Sequence, residues 1–82
     1  MNEVVIKEWW TVHDLWPTRM TPYHEVLLRV DGQERYLARI EGPRSVHELI
    51  HEAEMSLRAQ GYHLAAGWSQ RGGDHFAPVA RA

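Results

Sequence analysis

One segment of the chain carries complete signals for the start and end of a helix, whereas most of the remaining sequence is patterned for strands. Ser45 and Glu48 form an S-x-x-E capping box, which satisfies free amide groups in the first turn of a helix. Gly61 stands where such a helix would end, because glycine readily adopts the left-handed conformation of a C-terminal cap. The sequence therefore predicts one helix over residues 46–60. Its apolar stripe comprises Val46, Leu49, Ile50, Ala53 and Leu57.

Three segments before the helix are rich in β-branched and aromatic residues and alternate in polarity, as strands do. They cover residues 3–12, 23–30 and 34–41, and a further strand is expected over residues 62–69. Pro17 and Pro22 predict a loop over residues 13–22, because each disfavours helix at the residue before it. Residues 71–82 are expected to form a mobile C-terminal tail.

These elements predict an α+β fold, in which a small antiparallel sheet of three to four strands carries one helix on one face, in the order β-β-β-α-β. The chain has 82 residues and no cysteine, so packing or self-association must supply stability that disulfides give to other small folds. We expect one compact domain over residues 1–70. No signal peptide or membrane-spanning segment is recognisable, and the expected location is the cytoplasm, without membrane partners.

Asp31-Gly32 is a strong hairpin signal between the second and third strands. A two-residue turn there would place Arg35 and Arg39 on the same face as Val26 and Leu28, which scatters the apolar residues. An odd-length, bulged turn with Gly32 left-handed would instead collect them on one face. The expected apolar set is Val26, Leu28, Tyr36, Ala38 and Ile40.

The helix also contains His47-Glu48-Leu49-Ile50-His51, which matches the H-E-x-x-H pattern of zinc metalloproteases. In those enzymes the two histidines bind Zn²⁺ and the glutamate activates a metal-bound water. Leu57 stands where the extended metzincin pattern has a third histidine. The apolar stripe must face the sheet, which directs His47 and His51 towards solvent. A zinc-dependent peptidase is therefore a remote alternative; no cofactor is expected, and these histidines are the candidates for an incidental metal site.

The sheet face opposite the helix carries apolar and cationic residues together. Such patches commonly mark binding surfaces, and tryptophan and arginine are enriched among residues that dominate binding energy. The candidate partner-binding residues are Lys7, Trp9, Leu27, Arg29, Arg35, Leu37 and Arg39. In an alternative without a binding role, the tail or the proline loop folds across this face.

The absence of a catalytic motif favours a non-enzymatic module that binds another protein, or a second copy of itself as a homodimer. A small phage or mobile-element accessory protein that modulates a host protein fits this description. The alternative is a sheet that binds DNA, as in some plant transcription-factor and transposon-integrase domains, with which this chain shares inferred topology and no motif. The net charge of −2, with histidines neutral, counts against nucleic acid as the partner.

Overall fold

The computed structural model describes residues 2–13 and 19–82 and has an α+β fold, with one helix on a curled antiparallel sheet. The sequence predicts this class and the helix correctly, but the sheet has six strands instead of three or four. In chain order the elements are β1 (Glu3–His13), β2 (Arg19–Val30), β3 (Gln33–Glu41), α1 (Val46–Ala59), β4 (Tyr62–Leu64), β5 (Ser69–Arg71) and β6 (Asp74–Arg81).

The strands lie in the order β3-β2-β1-β6-β4, with β5 also paired to β6. All pairings are antiparallel. The segment after the helix therefore turns back at Gly72, which has a φ of 62°, and sends β6 into the middle of the sheet. Residues 71–82, predicted from their composition to form a tail, instead contain a strand that pairs with β1 on one side and with β4 and β5 on the other.

The one hydrophobic core of the described residues lies between α1 and one face of the sheet. Leu49, Ala53 and Leu57 on the helix are buried, as the apolar stripe predicts, whereas Val46 at its start is half exposed. Ser45 and Glu48 form the predicted capping box, with Glu48 N–H donating to Ser45 Oγ and Ser45 N–H donating to the Glu48 carboxylate. The sheet contributes Val4, Ile6, Val26, Leu28, Ile40, Ala77 and Val79 to this core.

The β2–β3 hairpin differs from the sequence prediction in where its extra residue lies. Val30 pairs with Gln33, so the turn has two residues, and Asp31 and Gly32 both have positive φ, at 52° and 76°, as a type I′ turn requires. The extra residue is Leu37, a β-bulge in the middle of β3. The predicted position of the extra residue, in the turn, is therefore wrong. One extra residue does, however, bring Ala38 opposite Val26.

The two-residue turn and the bulge together place three side chains on faces other than those predicted. Tyr36 lies opposite Leu27, on the face away from the helix, and is 53 % exposed instead of belonging to the core. Arg35 lies opposite Leu28, on the helix side, and donates a hydrogen bond of 3.1 Å to Gln60 Oε1 at the end of α1. Leu37 packs against the core. Arg35 and Leu37 are therefore not on the face that the sequence predicts for them.

The ends of β1 and β2 form a two-stranded extension of the sheet. Their pairing runs without interruption from Glu3 opposite Arg29 to His13 opposite Arg19. By contrast, β3 pairs with β2 only from Tyr23 onward, and β6 pairs with β1 only as far as Ile6. The predicted proline loop is thus strand at residues 13 and 19–22. Its centre, which includes Trp16 and Pro17, lies outside the described residues.

No helix in the described part of the chain is long and apolar enough to cross a membrane.

Replacing Leu57 by alanine tests whether this single core carries the fold. Leu57 is 1 % exposed, so its truncation should lower the free energy of unfolding by about 2–5 kcal/mol, through lost burial and a residual cavity. Met55 lies on the same helix and is 56 % exposed, so Met55→Ala should change it by less than about 0.5 kcal/mol. Urea unfolding followed by circular dichroism measures both, and equal effects would contradict the packing described here.

Candidate functional site

The sheet face opposite α1, termed the open face below, has an apolar row across its middle. The register aligns this row across four strands, because directly opposite residues share a face. From β6 to β3 it consists of Phe76, Val5, Leu27 and Tyr36. Val5 and Leu27 are buried even though the helix lies on the other side of the sheet. The apolar row is thus partly shielded in its centre and accessible at Tyr36.

Charged rows lie on both sides of the apolar row, and opposite charges alternate within them. In one, Arg29 lies between Glu3 and Glu34, with nitrogen–oxygen distances of 3.3 Å and 2.9 Å. In the other, Lys7 lies opposite Glu25, and Glu25 lies opposite Arg39. Such cross-strand pairs hold the long side chains in extended positions over the sheet.

A fourth row carries the aromatic residues. Trp9 and Tyr23 are directly opposite each other across β1 and β2. The Lys7 ammonium lies 5.5 Å from the centre of the Trp9 ring, and the Arg39 guanidinium lies 4.0 Å from the centre of the Tyr23 ring. Arg39 also pairs with Glu41. These cation–π contacts place both cations beside aromatic rings, of which Trp9 is 40 % exposed and Tyr23 is half-buried.

A depression of about 360 Å³ opens on this face beside the apolar row. Val5 and Phe76 supply its apolar lining, and Arg71 from β5 reaches over the Phe76 ring at 5.7 Å from its centre. Lys7, Arg29, Glu3 and Asp74 complete the lining. Both signs of charge therefore surround a small apolar surface, an arrangement typical of a docking site for a polar–apolar protein segment.

Five of the seven residues predicted for partner binding do lie together on the open face: Lys7, Trp9, Leu27, Arg29 and Arg39. Arg35 lies on the helix side because the two-residue turn sets its register, and Leu37, the bulged residue, packs against the core. Four further residues of the open face are not among those predicted: Tyr23, Tyr36, Phe76 and Arg71. The alternation of β2 could have identified Tyr23, which is in phase with Leu27. Only the long-range pairing of β6 with β1 brings Phe76 to this face, together with Arg71 on the adjoining β5.

The H-E-x-x-H residues lie on the solvent-exposed side of α1, where His47 and His51 are both exposed. Glu48 is occupied by the capping box, and the Ser45 backbone amide holds the pKa of its carboxyl below the usual range. In residues 2–13 and 19–82, no group of three His, Asp or Glu side chains is arranged to hold a metal ion. The geometry thus gives the metalloprotease pattern no third ligand among the described residues.

A second polar cluster, absent from the sequence prediction, lies on the helix side of the sheet beyond the first turn of α1. His24 and Glu8 are cross-strand neighbours, and His24 Nε2 is 3.7 Å from Glu8 Oε2. His75 lies nearby on β6, and both histidines are buried. All three positions are in phase with core residues of their own strands, which is the sequence signal that could have found them.

Burial lowers the pKa of His24 from its ordinary value of 6.5, against the opposing effect of the Glu8 carboxylate. The neighbouring imidazole of His75 lowers it further, and Asp74 raises it. The folded protein therefore favours the neutral form of His24. In the unfolded chain, this side chain binds a proton with its ordinary pKa. Arg44 lies beside this cluster, but its guanidinium pairs with Glu48 and not with Glu8.

Because the pKa of His24 is lower in the folded protein, its contribution to the free energy of unfolding depends on pH. This contribution is fully present above pH 6.5 and is lost as the pH falls through the lowered pKa of folded His24. Urea unfolding at pH 7.5 and at pH 5 measures the loss, which His24→Gln should reduce because glutamine does not titrate. His63→Gln, at an exposed position in β4, is the matched control and should leave the loss unchanged. An unchanged pH dependence in His24→Gln would show that another group is responsible.

Comparison with known proteins does not place the chain in a family. No protein-family model matches the sequence, and neither the curated proteins nor the solved structures give a significant match.

Proposed function

We propose that this protein is a small non-enzymatic module that binds another protein through its open face. The observation that carries the proposal is that large aromatic side chains are exposed on one side of the sheet, while the hydrophobic core lies on the other. Trp9 and Tyr36 are the exposed anchors of this surface. Exposed large aromatic groups amid charged residues fit the composition of binding hot spots better than that of an ordinary monomer surface.

The charge pattern supports a protein partner over nucleic acid. Arg29 is matched by Glu3 and Glu34, and Arg39 by Glu41, so each arginine would have to leave a carboxylate to bind a phosphate. Glu25 and Asp74 add further negative charge to the same face. A phosphate backbone binds best to unopposed cations, whereas a protein surface with both signs of charge can pair with these rows.

The two-stranded extension adds to this surface. A hairpin with no third strand is only marginally stable in water, so contact with a partner would stabilise it. Trp9 and Tyr23 lie at its base, where the extension joins the open face. The proposed docking surface is therefore the open face together with the start of the extension. A second copy of the chain is one form that the protein partner can take.

Site-specific photo-crosslinking tests the proposal in the source organism or its host. A photoreactive phenylalanine analogue replaces Tyr36 on the open face, or Met55 on the helix as the control; these side chains are 53 % and 56 % exposed. We expect a discrete protein adduct from position 36 and none from position 55. An adduct of twice the chain mass identifies a homodimer. The same adducts from both positions, or adducts to DNA alone, would contradict the proposal.

Changing Trp9 and Arg39 together to alanine should abolish this adduct while preserving the fold, because both side chains are outside the core. Loss of one hot-spot residue typically costs about 2 kcal/mol or more, so binding should weaken by more than tenfold. Met55→Ala with Arg58→Ala on the exposed side of α1 is the control pair and should bind normally. Circular dichroism checks the fold, and unfolding of the Trp9–Arg39 variant would show that the open face belongs to the core.

A further inference from the structure

The two-stranded extension has two edges, and they differ in whether another strand can be added to them. On the β1 side, β6 pairs only as far as Ile6, and on the β2 side, β3 pairs only from Tyr23 onward. In the described part of the chain, no other strand continues either pairing. The feature concerns main-chain groups at a strand edge, so it does not depend on the docking function proposed for the open face.

The register shows which main-chain groups of β1 point to its outer edge, away from β2. Val79 N–H donates to the Asn2 carbonyl at 3.1 Å across β6 and β1, and the direction of these groups alternates along a strand. Even-numbered residues of β1 therefore point outward. Glu8 fits this alternation, because its amide donates to Asp74 Oδ1 at 2.9 Å. Trp10 and Val12 are the next two residues in the series, and no described strand lies beside them.

Pro22 closes the other edge of the extension. The two residues that flank a two-residue turn, here Val30 and Gln33, pair with each other by hydrogen bonds. Even-numbered residues of β2 therefore point to the β3 side, and Pro22 is one of them. Because proline has no N–H to donate, it interrupts the row of donors that an added strand would need. Only the β1 edge is open to a further strand.

The β1 edge also lacks the features that usually keep exposed edges from pairing. Charged side chains, prolines and bulges commonly protect such edges. The edge strand β3 has a bulge at Leu37 and four charged residues, which are Glu34, Arg35, Arg39 and Glu41. By contrast, the β1 segment at residues 10–12 has no charge, no proline and no bulge. Its aromatic and β-branched residues favour strand pairing.

A second copy of the chain is the partner that fits one open and one closed edge. Pairing of two β1 edges about a two-fold axis leaves only the edges closed by Pro22, so assembly stops at two copies. Both copies gain stability, because two marginal hairpins become one four-stranded ribbon. The chain has no cysteine for a disulfide, and small domains of this kind often rely on self-association. Trp10, which is 51 % exposed, lies at this edge.

We propose that the protein forms a symmetric dimer in which the β1 edges of two copies pair antiparallel. Trp10 of each copy is directly opposite Val12 of the other, so the outward amide and carbonyl of each residue find partners. Thr11 is then opposite Thr11 of the second copy, on the two-fold axis. A register shifted towards the body of the domain would bring the added strand against Gly73, which already lies beside Glu8.

Single cysteines at positions 11 and 21 test this register, because the chain has no other thiol. Thr11 and Thr21 are cross-strand neighbours, so Thr21→Cys makes the same change next to the closed edge. In the dimer, the two copies of position 11 form a pair with Cα atoms about 4.5 Å apart, within the range of about 4.4–6.8 Å that disulfides need. The two copies of position 21 are three strand spacings apart, about 14 Å.

Both variants are oxidised with diamide and resolved by non-reducing electrophoresis. We expect Thr11→Cys to form a disulfide-linked dimer at least tenfold faster than Thr21→Cys. Equal rates from the two positions, or no dimer from position 11, would overturn the proposal. Neither of these results changes the expectation for photo-crosslinking from Tyr36, so failure of the edge pairing is distinguishable from failure of the open-face docking.

A proline placed on either edge of the Thr11→Cys variant tests the main-chain pairing itself. Val12→Pro removes an outward amide of the β1 edge and should slow disulfide formation at least tenfold. Met20→Pro is the matched control, because Met20 is directly opposite Val12 and its amide points to the closed edge. It should leave the rate unchanged. Circular dichroism checks both folds, and a folded Val12→Pro variant with an unchanged rate would overturn the proposal. If Val12→Pro unfolds, the comparison of positions 11 and 21 decides alone.

Discussion

Burial of the apolar stripe of α1 against one face of the sheet is the interaction on which the remaining structure depends. Leu49, Ala53 and Leu57 meet Ile6 and Leu28 in the only hydrophobic core of the described residues. A domain of this size buries a modest share of its surface, so losing this contact would leave little to maintain the fold. With one helix available, one sheet face is covered and the other retains its aromatic and charged side chains at the surface.

The same requirement explains the β-bulge at Leu37. A type I′ turn at Asp31-Gly32 matches the twist of the flanking strands, but it places β3 out of phase with the core. One extra residue restores the phase for Ala38 and Ile40. Arg35 and Tyr36 lie between the turn and the bulge and keep the register of the turn, so Arg35 stays on the helix side and Tyr36 on the open face. The surface proposed for docking is thus shaped by how the core is kept in register.

Local signals in the sequence predict the helix and the first three strands because caps, turns and alternation act over a few residues. Ser45, Glu48 and the Asp31-Gly32 turn belong to this class. The strand β6 was missed because its signals, centred on Ala77 and Val79, are modest, and its place depends on pairing with a strand more than seventy residues earlier. Strand phase marks His24, Glu8 and His75 as facing the helix side one by one, but only the pairing of β1 with β2 and β6 brings the three together.

The two sides of the sheet thus have different chemistry, with paired charges and accessible aromatic groups on one and buried, unpaired imidazoles on the other. The central claim is that none of the described residues covers the open face in the isolated chain. Enhancement of tyrosine ring relaxation by a soluble paramagnetic probe tests it directly, at concentrations low enough to prevent self-association. Tyr36 is 53 % exposed on the open face, and Tyr62 is 8 % exposed in the core. We expect strong enhancement at Tyr36 and little at Tyr62; equal protection of the two rings would show that the open face is covered and would contradict the account.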